Sequence, residues 1–171
     1  LADVCVLFAT AFYILMGFNS ILIMHDNEEG GHVLYLAIFI SAWITDVFAY
    51  FCGMLFGRGG KHKLIPDVSP KKTVEGSIGG IVFCVLCMMI FGWICNHFTE
   101  YDSNILMFAI GGVLASIVSQ IGDLLMSYVK RHYGIKDFSQ LFPGHGGVLD
   151  RYDSVLAVAI AMMCLTTFVD F

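Results

Sequence analysis

Five stretches of this sequence are apolar over the length of a bilayer crossing: Leu1–Met24, His32–Gly57, Gly76–Phe98, Asn104–Lys130 and Val148–Phe168. A hydrocarbon core about 30 Å thick takes about 20 helical residues to cross. Backbone polar groups in lipid must be satisfied within the segment, so each stretch is read as a helix. The composition agrees. Charged residues make up 13% of the chain, against about 25% in soluble domains, and the mean hydropathy is +0.80. The predicted fold class is an all-α, polytopic integral membrane protein with about five transmembrane helices. The chain opens at Leu1, already inside an apolar run and without the basic flank of a signal peptide. The expectation is that residues 1–171 form a single transmembrane catalytic domain, the C-terminal part of a longer protein with further helices before it.

Charge fixes the topology. All nine Lys and Arg residues fall in two connections. Arg58, Lys61, Lys63, Lys71 and Lys72 lie in the loop at about 58–75; Lys130, Arg131, Lys136 and Arg151 lie in and beside the loop at about 130–147. The connections His25–Gly31 and Thr99–Ser103 have none. Alternating spans put the two basic loops on one side, and the positive-inside rule makes that side cytoplasmic. The bilayer is therefore an expected partner, and nucleic acid is not. Topology and attraction to anionic lipid would alone account for the bases, but not for the acids, glycines and histidine among them.

Asp46, Asp123 and Asp153 lie inside spans, with Asp150 at a span edge. A carboxylate at membrane depth is costly and lines a polar cavity or binds a cation. For Asp46, hydrogen bonding to a neighbouring hydroxyl is an equal alternative. By the helical rise, Asp123, Asp150 and Asp153 are expected within about two turns of the cytoplasmic boundary, and Asp46 deeper, about 16 Å below Gly57. Carboxylates clustered at an interface suit a hard divalent cation such as Mg²⁺, which takes oxygen ligands together with substrate phosphates. Lys and Arg nearby suit phosphates. Together these are the parts of phosphoryl or nucleotidyl transfer, in which the protein positions groups and offsets charge.

The glycine-rich pieces are weaker signals. Pro143-Gly144-His145-Gly146-Gly147 lets backbone N–H groups approach an anion, although such a turn is more often only a turn. Gly76-Ser77-Ile78-Gly79-Gly80 permits close helix approach. Cys84-x-x-Cys87 lies inside a span and is read as inert packing.

Three pieces resemble the phosphatidate cytidylyltransferases, also called CDP-diacylglycerol synthases. The longest begins Ser127-x-x-Lys130-Arg131, continues through Lys136-Asp137 and Pro143-Gly144-His145-Gly146-Gly147, and ends Asp150-Arg151-x-Asp153. The others are Asp46-x-x-Ala49-Tyr50-x-x-Gly53 with Ser69-Pro70-Lys71-Lys72-Thr73-x-Glu75-Gly76, and Ser119-Gln120-x-Gly122-Asp123-Leu124. Tyr152 departs mildly from the aliphatic residue, Phe or Thr usual at its position, and members of the family are longer at the N-terminal side.

The resemblance implies transfer of a cytidylyl group from CTP to phosphatidate, giving CDP-diacylglycerol and pyrophosphate in phospholipid biosynthesis. It implies Mg²⁺, alone or paired with a monovalent cation such as K⁺, and often a homodimer. Carried over residue by residue, it makes Asp123 and Asp150 the metal ligands, with Ser127 and Asp153 supporting them. Asp123, Lys130, Asp150 and Asp153 are then the expected catalytic residues. Lys71, Lys72, Ser127, Arg131, Lys136, His145 and Arg151 are the expected substrate-binding residues. The expected location is a bacterial inner membrane rather than an endoplasmic reticulum, with the site facing the cytoplasm. An ether-lipid cytidylyltransferase or a CTP-dependent polyprenol kinase would use the same parts. An ion-coupled transporter is a distant alternative, since it would spread its acids through the bilayer and leave the basic loops unexplained.

Overall fold

The computed structural model describes residues 1–26, 30–57, 62–66, 68–98, 104–139 and 147–168. It contains helices α1 (Ala2–His25), α2 (Gly31–Phe56), α3 (Val74–Phe98), α4 (Ile105–His132) and α5 (Leu149–Phe168), with strands β1 (Lys63–Ile65) and β2 (Ser69–Thr73) between α2 and α3. The five helices match the five expected spans to within two residues at each end. The first four are long and apolar enough to cross a membrane. The α5 helix differs because Asp150, Arg151 and Asp153 fall within its first five residues. The chain is an integral membrane protein.

The α5 helix is the buried centre of the bundle. Residues 153–159 are buried on every side, and from Val155 to Ala159 they are apolar all round, as expected of a buried helix. Val155, Leu156, Val158 and Ala159 meet Ile38 and Ala42 of α2, Ala115 of α4 and Ile21 of α1 in one cluster. A second cluster joins α2, α3 and α4 around Ala37, Cys84, Met88 and Phe108. Lipid tails are as apolar as leucine, so close packing by small residues must hold such helices together. The Gly76–Gly80 segment does this. A Cβ at Gly76 would lie 2.4 Å from the Ala49 carbonyl oxygen, and one at Gly80 would lie 3.0 Å from that of Thr45. Cys84 is free and buried, with its thiol directed at the carbonyls of Ser41 (3.6 Å) and Gly112 (3.5 Å). The packing role read for it in the sequence fits these contacts.

The ends of the helices are set locally. The Asn104 side chain accepts from the Leu106 amide (2.9 Å) and caps α4. Lys130, Arg131 and His132 occupy the last turn of α4, where cations favour the carbonyl end. Gly134 then takes φ +67°, and the Ile135 amide returns to the Lys130 carbonyl (3.0 Å). That left-handed residue is the usual stop for a helix.

The loop expected at 58–75 contains a β-hairpin. β1 and β2 pair antiparallel, with Lys63 opposite Thr73 and Ile65 opposite Ser69. Pro70 is tolerated because a two-stranded sheet leaves one edge of each strand without ladder bonds. Thr73 ends the hairpin and starts α3, its hydroxyl accepting from the Gly76 amide (3.1 Å). The hairpin joins α2 to α3 at the same end of the bundle as the close of α4 and the start of α5. Lys72 of β2 pairs with Asp123 of α4 there, and the Tyr133 hydroxyl reaches Asp3 of α1 (3.4 Å). The two basic loops therefore share one end, as alternation of the spans requires.

Candidate active site

At that end a cavity of about 590 Å³ opens between the hairpin, α2, α4 and the start of α5. Asp46, Asp123, Asp150 and Asp153 all line it, and so do Lys71, Lys72 and Arg151. The sequence reading set Asp46 apart from the other acids by depth. The structure corrects this: the Ser154 hydroxyl donates to the Asp46 carboxylate (2.9 Å). Asp46 lies ten residues before the end of α2, and Ser154 lies five residues after the start of α5. At about 1.5 Å per residue, α5 begins some 7–8 Å below the end of α2. The acids at its start are therefore recessed into the bundle rather than held at the boundary.

Close helix contact sets these acids against one another. Gly122 brings α4 onto α5: a Cβ there would lie 2.4 Å from the Ala157 Cβ. Asp123, the next residue, is thereby held against the start of α5. Its carboxylate pairs with Lys72, and both side chains are about one quarter exposed. The Tyr13 hydroxyl donates to the Asp153 carbonyl (2.7 Å) and straps α1 to the same turn of α5.

Lys130 is buried at the foot of the second basic loop. Its Nζ lies 3.0 Å from Asp150 Oδ1 and 3.5 Å from Asp153 Oδ2, and 5.3 Å from the centre of the Phe138 ring. Asp150 also accepts from two backbone amides, Phe138 N (2.9 Å to Oδ2, 3.2 Å to Oδ1) and Gly147 N (3.0 Å to Oδ2). Among the described residues, no three His, Cys, Asp or Glu side chains converge into a ready-made metal cluster.

The wall facing these charges is apolar. Trp43, Val47 and Tyr50 of α2 line the cavity and are also 54%, 47% and 63% exposed. On a bilayer-spanning helix, that exposure faces lipid or other membrane helices.

Over residues 1–169 the sequence matches the model of the cytidylyltransferase family. The chain belongs to the cytidylyltransferase family. It is 42% identical over 132 residues to a phosphatidate cytidylyltransferase of Staphylococcus haemolyticus, a match covering 77% of this chain and 48% of the relative. It is 38% identical over 143 residues to the phosphatidate cytidylyltransferases of Staphylococcus saprophyticus and Staphylococcus aureus, covering 84% of this chain and 52% of each. The chain thus spans about half the length of the relatives it matches.

In this cytidylyltransferase-family chain, the expected site residues separate into groups. Asp123, Asp150, Asp153, Lys71, Lys72 and Arg151 meet at the cavity, with Lys130 behind Asp150. Ser127 is half-buried one turn beyond Asp123 on α4 and does not line the cavity. Arg131 and Lys136 are exposed and also lie off its wall; the Arg131 guanidinium donates to the Ile135 carbonyl (3.2 Å). His145 lies outside the described residues. The sequence reading gave no role to Ser154, Ser77 or Tyr13. Ser77 and Gln120 join α3 to α4 at the cavity wall through the bonds Ser77 Oγ to Gln120 Oε1 (2.5 Å) and Gln120 Nε2 to the Ser77 carbonyl (3.3 Å). These partners lie far apart in sequence, and no local spacing announces them.

Proposed function

We propose that this site transfers the cytidylyl group of CTP to phosphatidate, forming CDP-diacylglycerol and releasing pyrophosphate. One observation carries the reading: a single cavity has a charged wall from β2, α4 and α5 and an exposed, largely aromatic wall from the bilayer-spanning helix α2. A lipid phosphate needs both, because its head group must meet a polar reactant while its chains stay in the bilayer. The family membership and the names of the relatives support the same chemistry.

In this mechanism a phosphate oxygen of phosphatidate, already anionic, attacks the α-phosphorus of CTP. The new P–O bond joins the two phosphates. The bond from the α-phosphorus to its bridging oxygen breaks, and pyrophosphate leaves with the electron pair. No strong general base is needed. The obstacle is repulsion between two polyanions, so the chain's task is to hold and offset charge. Lys71, Lys72 and Arg151 line the cavity and are the groups for phosphate oxygens, Arg151 with the option of a bidentate contact. Lys72 can exchange Asp123 for a phosphate without leaving the cavity.

The oxygen donors of Asp123 suit Mg²⁺, alone or beside a monovalent ion, with Asp46 and Asp153 facing the same space. When bound, Mg²⁺ would offset the triphosphate charge and that of the departing pyrophosphate. Asp150, which the resemblance pairs with Asp123 for this role, lines the same cavity, and its oxygens also accept from Lys130, Phe138 and Gly147. We place the charged end of the bundle in the cytoplasm of a bacterial cell, where CTP is made. The homodimer implied by the resemblance belongs to this reading and is checked by the mass of the protein in detergent.

The test is incubation of membranes containing the protein with phosphatidate, Mg²⁺ and CTP labelled at the α-phosphate. The label is expected in a lipid carrying cytidine. Transfer of a γ-label to lipid would make the enzyme a kinase, and no label in lipid would sink the reading.

A further inference from the structure

We propose that Ser77 and Gln120 hold the base of the nucleotide and set a preference for cytosine over uracil. This rests on the cytidylyl-transfer reading, since it places the CTP of that reaction. The cavity lining divides by chemistry. Its carboxylates suit cations, and Lys71, Lys72 and Arg151 suit phosphates. A pyrimidine base is neutral and is read by donors and acceptors that meet its edge. Ser77 and Gln120 are neutral, and both line the cavity. They meet there from α3 and α4, although 43 residues apart in sequence. Gln120 precedes Asp123 by three residues, about 4.5 Å deeper along α4. A base held there leaves its phosphates at the level of Asp123 and Lys72.

The Gln120 amide has a fixed sense. Its Nε2 donates to the Ser77 carbonyl (3.3 Å), and its Oε1 accepts from the Ser77 hydroxyl (2.5 Å). A carbonyl can only accept, so turning the amide over would set Oε1 against the Ser77 carbonyl oxygen. Gln120 is 8% exposed, which leaves little water to offset such a contact. A side-chain amide has two N–H donors and two acceptor sites. One of each is spent on Ser77. One N–H and one Oε1 lone pair remain, and the Ser77 oxygen, having given its proton, can still accept.

Cytosine matches what remains. Its 4-amino group is a donor and meets the free acceptors, while its ring N3 or its 2-carbonyl takes the free N–H. Uracil carries a carbonyl in place of the amino group and N3–H in place of the bare N3. That carbonyl would face acceptors, and the amide cannot turn over to meet it. A site built around a hydrogen bond rejects the analogue that lacks it far more strongly than an apolar pocket rejects a misfit. The same two bonds also clamp α3 to α4, but a clamp alone has no bearing on which base is bound.

The experiment measures equilibrium binding of labelled CTP to the whole protein in detergent with Mg²⁺, displaced by unlabelled CTP, UTP or inorganic tripolyphosphate. In the wild type, UTP should bind at least about a hundredfold more weakly than CTP. In Gln120→Leu that ratio should fall at least about tenfold, through weaker CTP binding. Tripolyphosphate, which has no base, should keep its wild-type affinity. Ser77→Ala should move the ratio in the same direction. An unchanged ratio in Gln120→Leu overturns the proposal, as does equal binding of CTP and UTP by the wild type. A wild type that binds neither nucleotide sinks the cytidylyl-transfer reading itself. A variant that loses tripolyphosphate as well has lost the site as a whole, and a wild-type arm then decides. Light-activated 5-iodo-CTP, reactive beside the amino group, should label the α3 peptide holding Ser77 or the α4 peptide holding Gln120. Label confined to other segments overturns the proposal.

Discussion

Gly122→Ala inserts one methyl group between α4 and α5, beside Asp123. The new Cβ would lie 2.4 Å from the Ala157 Cβ, where ordinary contact begins at 3.4 Å, a shortfall of 3.4 − 2.4 = 1.0 Å. Neither methyl can rotate away, since each is fixed to its backbone. The same methyl would stand 3.3 Å from the Asp153 carbonyl oxygen and 3.3 Å from the Tyr13 hydroxyl, the two ends of the bond that straps α1 to α5. The helices must therefore part by about 1 Å at the level of the acids. Overpacking of this kind costs about 1–3 kcal/mol. A displacement of about 1 Å in a reacting constellation costs on the order of a hundredfold in rate. The expected result is a lowered thermal midpoint in detergent and a drop in labelled lipid formed from CTP per mole of inserted protein.

The contact itself can be isolated with Ala157→Gly, which removes the opposing methyl. Alone it should cost about 1 kcal/mol as a glycine within a helix. Combined with Gly122→Ala, it should recover stability relative to Gly122→Ala, with a coupling of at least about 1 kcal/mol. Activity should recover with it. Wild-type activity and stability in Gly122→Ala, or a double variant no better than the single one, would refute the view that this helix contact sets Asp123 against α5.

Three further outcomes are expected. Asp123→Asn should lower CTP-dependent lipid product by about a hundredfold or more, the scale of removing a charged group that faces the transition state, while inserting in normal amount; near-normal turnover would remove Asp123 from the site. Ser154→Ala leaves Asp46 without its hydroxyl donor and should destabilise the protein by about 1–3 kcal/mol, so an unshifted thermal midpoint would show that Asp46 is held by other means. Lys63→Cys on the hairpin, with the modified peptide identified by mass, should react with a membrane-impermeant maleimide only after bacterial cells are opened. Reaction in intact cells would reverse the orientation.

The helices were legible because each apolar run carries its own length signal and its own boundary chemistry, such as Asn104 before α4 and Gly134 after it. The hairpin was less legible. Its residues, Lys63-Leu64-Ile65 and Ser69-Pro70-Lys71-Lys72-Thr73, are charged and interrupted by proline, so they read as a connector. Their pairing becomes visible only when Thr73 is seen to close the hairpin and cap α3 at once. Which end holds both basic loops was legible from parity and charge alone. The height of α5 was not, because sequence gives where a helix starts along the chain but not how deep that start lies in the bundle. The Ser154–Asp46 bond supplies that depth.

That depth changes what the basic residues do. Read along the chain, every lysine and arginine beside the acids was a candidate for phosphate. With the acids recessed, two lysines turn inward, Lys72 to Asp123 and Lys130 to Asp150 and Asp153. Carboxylates left unpaired at membrane depth would be costly and would repel an incoming triphosphate. The paired lysines lessen both effects. They differ in what can replace them: Lys72 is partly exposed and carried on a two-stranded hairpin, whereas Lys130 is enclosed by Phe138 and by an acid that two backbone amides hold in place. A site that must admit two polyanions and then release a third gains from having one exchangeable pair and one fixed pair. Substitutions at Lys72 should therefore show themselves first in the concentration of CTP needed for turnover, and substitutions at Lys130 first in turnover itself.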